Sequence, residues 1–479
     1  MFTLSLRNSS RPVNKLPPEI ISQIARSSLE SYHIDPKPIV PLTHVCQYWR
    51  ESIISAPENW ARISIPRLGL TALSLERSKA APLHLQFDMS FRTRTPRFCN
   101  LIAPHTQRIK TLRVKQISTI EVFTKAFPNF PNSMPNLRSL DLAHTEDRGV
   151  PHWDLSFDPF GPLPNTLTSL VLHDIPLYPS FLRIKTLTKL DLHYHEIRPA
   201  LDTLLDLVED NCSLESVALT IDFKNNPSNS SQRPSATTNR LRHLSVSCWD
   251  ATTARTLISN IPLRRGAHLG ITFHGEEMGL ELNDILPGIP ITHFPNIPSP
   301  TFMEYMPCYQ APCLRAVRLN GPNGSFSYSH DCSLGIPFTE FSVLPLTNIR
   351  ELHLTHGELP ITFDMSPFPA LETLTLIGVT GVSRLFSIWL SDPSLFPSLK
   401  TLGFFECVIT EEVVEELKRF ASNRKNTTSA WLHHVTIVGQ GGGEAPSAAS
   451  IRELENHVSV VEVRFTGADG SDVEWCRES

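Results

Sequence analysis

Leu137-Arg-Ser-Leu140-Asp-Leu142, Leu167-Thr-Ser-Leu170-Val-Leu172 and Leu187-Thr-Lys-Leu190-Asp-Leu192 repeat one pattern, apolar at the first, fourth and sixth positions. The second half of each copy alternates apolar and polar residues, as a short strand does when one face lies in a core. A single strand of this kind buries little, so the copies are expected to stack side by side and share their apolar face. The pattern recurs at Leu214-Glu-Ser-Val217-Ala-Leu219, Leu241-Arg-His-Leu244-Ser-Val246, Leu314-Arg-Ala-Val317-Arg-Leu319, Ile349-Arg-Glu-Leu352-His-Leu354, Leu371-Glu-Thr-Leu374-Thr-Leu376 and Leu399-Lys-Thr-Leu402-Gly-Phe404. Weaker copies begin at Ile109, Leu432 and Val460.

Between parallel strands the chain must return on the other side of the sheet, and several intervals carry helical patterns. Residues 200–211, ALDTLLDLVEDN, place Leu201, Leu204, Leu205 and Val208 on one side. Residues 410–421 open at Thr410, a plausible cap, with acids in the first turn. Ser450-Ile-Arg-Glu453 has capping-box spacing before the last copy. Two intervals break the rhythm. Residues 224–239, KNNPSNSSQRPSATTN, read as a polar loop, and 262–313 are rich in proline, with AHLGITF at 267–273 as a further strand.

Starts mostly 20 to 30 residues apart, together with the Leu-x-x-Leu-x-Leu signature, resemble leucine-rich repeats. The resemblance implies an α/β solenoid over residues 63–466, a curved parallel sheet with return helices and loops, followed by a tail at 467–479.

The first sixty residues follow another pattern. LPPEIISQIAR at 16–26 reads as a short amphipathic helix, with Pro17 and Pro18 in its first turn and Ile20, Ile21 and Ile24 on one side. Pro36, Pro38 and Pro41 break the next stretch, and LTHVCQYWRESIISAPENW gives a second helical pattern through Leu42, Val45, Cys46, Trp49 and Ile53. Leu-Pro-Pro-Glu-Ile-Ile at 16–21, Val-Cys-x-x-Trp-Arg at 45–50 and Pro57-Glu-x-x-Trp60 resemble the F-box, especially its fungal version. The resemblance implies an all-α F-box-like domain at 13–62 behind a disordered stretch at 1–12. It also implies docking on the linker protein Skp1, and through it on a cullin, by Leu16, Pro17, Ile20, Val45, Cys46 and Trp49 or by the packing that presents them. The proline-rich link at 34–41 is longer than in many F-boxes and leaves the middle helix open. The other reading is a helical cap over the solenoid, which would turn the Leu-Pro and tryptophan residues inward, whereas a docking surface leaves an apolar patch outside.

The totals narrow the function classes. The 479 residues are 41% hydrophobic and 19% charged, enough apolar material to fold, and a net charge of −5 with mixed signs gives no field to gather nucleic acid or an anionic membrane. Nine cysteines without a Cys-x-x-Cys pair suit reduced thiols. No run approaches the roughly 18 apolar residues of a membrane helix, and the N-terminus lacks a signal-peptide core, so a soluble protein of the cytoplasm or nucleus is expected.

Catalytic patterns are missing: there is no Gly-x-Ser-x-Gly elbow, Walker loop or His-Glu-x-x-His. In GQGGGE at 439–444 a glutamate stands where a dinucleotide fold needs its third glycine. No catalytic residue, metal or cofactor is expected. His173 and His193 take the same place in adjacent copies and are expected about 5 Å apart. With Asp191 as the one further ligand in reach, they suit a solvated or partner-facing surface better than zinc. The polar positions between the core leucines should line the open face, and the candidates for a target-binding surface are Asp141, His173, Asp191, His193, Tyr194, His243, Arg318, His353 and Phe405. The expected function is a non-catalytic substrate adaptor of a Skp1-cullin-F-box ubiquitin ligase, with an unknown target protein on the repeats. The alternative is an interaction scaffold working without a cullin.

Overall fold

A computed structural model describes residues 12–30, 39–64, 68–90, 95–119, 123–124, 134–144, 158, 160–194, 201–221, 240–249, 251–261, 263–264, 266–274, 302–306, 314–321, 324–331, 346–358, 368–391, 395–427, 431–440, 446–466 and 472–477. The expected disordered N-terminus and the polar loop at 224–239 lie outside these, apart from Pro12. The chain is mixed α/β and divides into two compact units, Met1–Glu215 and Ser216–Ser479.

The first unit opens with helices α1 (Pro18–Glu30), α2 (Ile39–Leu42) and α3 (Gln47–Ser55) and a 3-10 turn at Pro57–Trp60. Strands β1 (Arg62–Ser64), β2 (Leu83–Asp88), β3 (Ile109–Ile117), β4 (Ser139–His144), β5 (Ser169–His173) and β6 (Lys189–Tyr194) follow. Each pairs in parallel with the next in chain order. The described connections include α4 (Leu68–Arg77), α5 (Thr95–Ile102), a 3-10 segment at Ala103–Arg108 and the single turn α6 (Pro179–Leu182), and α7 (Leu201–Asp210) comes after β6. Register turns the alternation into continuous rows. Leu85, Leu112, Leu140, Leu170 and Leu190 face one another in one row, and Phe87, Val114, Leu142, Leu172 and Leu192 in the next, all buried. Burying each such side chain contributes about 1.5–3 kcal/mol, and no strand gains it without a neighbour.

Where a return helix is short, aromatic rings fill the space. Phe160 packs on Phe123, Tyr178 and Phe181 with centroids 5.4, 5.5 and 4.7 Å away. Buried and half-buried polar side chains hold some of the turns. Asn211 accepts from the Leu187 N–H and donates to the Leu207 carbonyl, and Arg108 donates twice to the Ala81 carbonyl.

The second unit holds β7 (Ser216–Ile221), β8 (His243–Cys248), α8 (Ala251–Asn260), β9 (His268–Phe273), β10 (Phe302–Met306), β11 (Leu314–Gly321), β12 (Gly324–Asp331), β13 (Glu351–Glu358) and β14 (Thr373–Thr380). It continues with α9 (Val382–Ser391), β15 (Thr401–Phe405), α10 (Glu411–Thr427), β16 (His434–Gln440), α11 (Ala448–Glu455), β17 (Val460–Thr466) and β18 (Asp472–Arg477). Parallel pairing joins β7 to β9 and β13 to β17 in chain order. Between them stands a meander: β9 pairs with β12, β12 with β11, β11 with β10 and β10 with β13. The two central pairings are antiparallel, because only two residues separate β11 from β12 and seven separate β10 from β11, too few for a crossover.

Several expectations need correction. The copy at Leu314 is β11, which runs against its neighbours. The tail at 467–479 contributes β18, antiparallel to β17. The second N-terminal helix is broken at residues 43–46, with Cys46 as the N-cap of α3. Helix α11 is capped by Ser447, whose Oγ accepts from the Ser450 N–H, so Ser450 lies inside the helix.

The N-terminal helices belong to the first unit, together with the strands that follow them. Ile21, Ala25, Ile39, Trp49, Ile53 and Trp60 form one cluster, and Leu70 and Leu73 of α4 pack against it. The Arg77 guanidinium lies 4.4 Å from the Trp60 ring centre, and the His84 N–H of β2 donates to the Ala61 carbonyl. Trp60→Ala is therefore expected to destabilise the whole first unit by about 3–5 kcal/mol, measured by denaturant unfolding followed by far-UV circular dichroism. Loss of the N-terminal helices alone, with the sheet unfolding as in the parent, would contradict the shared core.

Candidate functional site

The first candidate surface is the N-terminal helical head. Its interior is fixed by polar locks as well as packing. The Ser22 hydroxyl donates to Asn59 Oδ1 (3.0 Å), while Asn59 Nδ2 and Trp60 Nε1 both donate to the Ile53 carbonyl (3.2 and 3.1 Å). The Tyr48 hydroxyl donates to the Leu16 carbonyl (2.8 Å) and so ties the start of α1 to α3. These bonds decide which residues face in. On α1, Ile21, Ser22 and Ala25 are buried, whereas Ile20 and Ile24, one turn apart, are 40% and 38% exposed.

Val13, Val40 and Val45 are exposed as well, Val45 by 51%. The head thus carries five of the seven large hydrophobic side chains exposed among the described residues, the others being Val408 and Trp431. Exposed apolar side chains gathered on one part of a chain make it a candidate contact surface.

Of the residues expected to dock, Pro17, Ile20 and Val45 are exposed, and Leu16 and Cys46 are half-buried. Trp49 is not an outward contact: it is 6% exposed and belongs to the internal cluster with Trp60. Its ring acts by holding α3 against α1, which is where the helical period of α3 also puts Ile53.

The second candidate surface is the polar face of the strands. In the first unit, Arg113, Asp141, Val171 and Asp191 share one row across β3 to β6, and Ala143, His173 and His193 share the row two residues on. Arg113 pairs with Asp141, whose carboxylate is nearly buried. His193 Nε2 lies 2.8 Å from Asp191 Oδ1, and Lys189 is 3.8 Å from the same carboxylate. Burial works to raise the Asp191 pKa, but the bond and charge of His193, with Lys189 and His173, outweigh it and hold the carboxyl below its usual range. Tyr194 does not line this face. It is fully buried, because the residue after His193 has the inward parity of Leu190 and Leu192.

In the second unit His243 is exposed, and His353 is half-buried with Nε2 2.9 Å from Glu351 Oε1. Phe405 folds over Gly403, where an added Cβ would meet the ring at 2.9 Å. By register Arg318 stands beside Glu304 and Ser327; its side chain lies outside the described residues. Glu304 was missed because β10 lacks the leucine signature.

No group of three or more potential metal ligands occurs among the described residues, and no described helix is long and apolar enough to cross a membrane. No protein-family model matches the chain, and no curated protein matches it.

The division into inner and outer residues predicts unequal mutational costs. Ile20→Asp and Val45→Asp are expected to change stability by no more than about 0.5 kcal/mol, and Trp49→Ala to cost about 3–5 kcal/mol. Urea unfolding of the three variants measures this, and a Val45→Asp protein as unstable as Trp49→Ala would place Val45 in the core.

Proposed function

We propose that the chain is the target-recruiting subunit of a Skp1-cullin-F-box type ubiquitin ligase. The head would dock on a Skp1-like linker and the strand stacks, as leucine-rich repeats, would hold a target protein. One observation carries the reading: the head with F-box-like segments at 16–21, 45–50 and 57–60 also carries five of the seven large hydrophobic side chains exposed among the described residues. Pro17, Ile20 and Val45 are the proposed contacts, with Leu16 and Cys46 at their edge and Trp49 as the packing that presents them.

The reaction would be supplied by other subunits. The contribution of this chain would be proximity, since tethering the target raises the effective concentration of its lysines beside the activated ubiquitin.

A second reading has its own support. The head packs on α4 and covers the end of the stack that begins with β1, as a solenoid cap does. A cap accounts for the buried tryptophans and leaves the outward aliphatics without a role; a docking head accounts for both.

Affinity capture on the full chain separates the readings. The parent is expected to retain purified Skp1 and a cullin, and Ile20→Asp/Val45→Asp to lose both by at least about tenfold, since removing a central apolar anchor costs 2 kcal/mol or more. Capture of neither by the parent would leave the scaffold reading.

A further inference from the structure

His173 ends β5 and faces His193 on β6, and their rings stack with centroids 4.3 Å apart and planes 13° from parallel. The surroundings are charged on several strands. Asp141 on β4 is held by Arg113 on β3, and Asp191 on β6 is held by His193 and Lys189. Asp174, the next residue after β5, is buried and donates its N–H to the His193 carbonyl (2.8 Å). Both carboxylates on the open face already have cationic partners, so its charges are close to balanced while His173 is neutral. His193 is 30% exposed and His173 half-buried, so solvent reaches the pair.

The stack restricts protonation. A proton on one ring opposes a proton on the other at this distance, and burial together with the His193 charge already lowers the His173 pKa, against the pull of Asp141 and Asp191. An anion lying against both rings would remove that opposition, because each imidazolium then donates to it. Nε2 of His193 is already bonded to Asp191, so the pair offers Nδ1 of His193 and a ring nitrogen of His173, one for each oxygen of a carboxylate. A phosphate dianion places more negative charge beside Asp141 and Asp191 than a single carboxylate does.

We infer that His173 and His193 form a proton-linked site for a carboxylate side chain of the bound target, whose capture is coupled to protonation of His173. The inference rests on the first unit's sheet being a target-holding face. Its test uses no linker protein, so its failure leaves Skp1 docking untouched.

Ligand binding that raises the pKa of His173 must itself tighten as pH falls, by up to about tenfold per pH unit for one linked proton, and weaken as pH rises through the bound-state value. The experiment is a nuclear magnetic resonance titration of the full chain labelled at its histidine rings. The added probes are a blocked Gly-Glu-Gly peptide, its Gly-Gln-Gly counterpart, or inorganic phosphate. The glutamate peptide is expected to raise the His173 midpoint and to bind more tightly at pH 5.5 than at 7.5. His193→Gln should abolish both effects while leaving the circular dichroism spectrum unchanged. Unshifted midpoints, an equal response to the glutamine peptide, a response to phosphate alone, or the same shift in His193→Gln would each overturn the site.

Discussion

A parallel strand with one apolar face cannot bury that face by itself, and the architecture follows from meeting this need repeatedly. Rows such as Leu85, Leu112, Leu140, Leu170 and Leu190 close only when every strand has a partner in register. The first strand therefore requires cover. It is three residues long, and Trp60 just before it, the helices behind Trp60 and α4 after it complete the core at that end. The head consequently has two sides with different duties. Its tryptophans and Ile21, Ile39 and Ile53 are committed to the interior, and Ile20, Ile24, Val40 and Val45 are left outside.

The strands that open with leucine three residues before an alternating run were legible, and so was α7, because both periods are set by burial on one side. Helix α10 began near its expected start but runs on to Thr427. Strands β1, β2, β10, β12 and β18 were missed. LHLQFD has the alternation without the preceding leucine, and FMEYM and GSFSYSHD belong to a meander with no repeat of its own. Direction was the deeper failure. The alternation in LRAVRL is the same whichever way the strand runs, and its orientation depends on the short Gly321-Pro-Asn-Gly324 link, whose turn residues were the available signal.

At the candidate sites, parity was decisive. His173 and His193 were placed together correctly by their common position in the pattern, and they stand in register as a stack. Tyr194 was assigned to the same face by proximity in sequence, although a strand reverses its facing at every residue. Trp49 shows the limit of motif reasoning in the head. Spacing located it correctly on α3, but only the hydrogen bonds of Asn59 and Trp60 to the Ile53 carbonyl reveal that this side of α3 is the inner one. The outward set, by contrast, includes Val40 and Ile24, which the motif alone did not single out as contacts.

The two open surfaces differ in character as their proposed tasks require. The head presents aliphatic groups and offers contact area without directionality, whereas the strand face of the first unit presents paired charges and imidazoles, whose contacts are directional. The most direct measurement of the central claim is carbene footprinting of the full chain, resolved to single residues, with and without Skp1. The account predicts heavy labelling of Ile20, Val40 and Val45 in the free chain, little on Ile21, Ile53 and Trp60, and selective loss of the outer labels when Skp1 is added. Equal labelling of the two sets, or outer labels unaffected by Skp1, would contradict it.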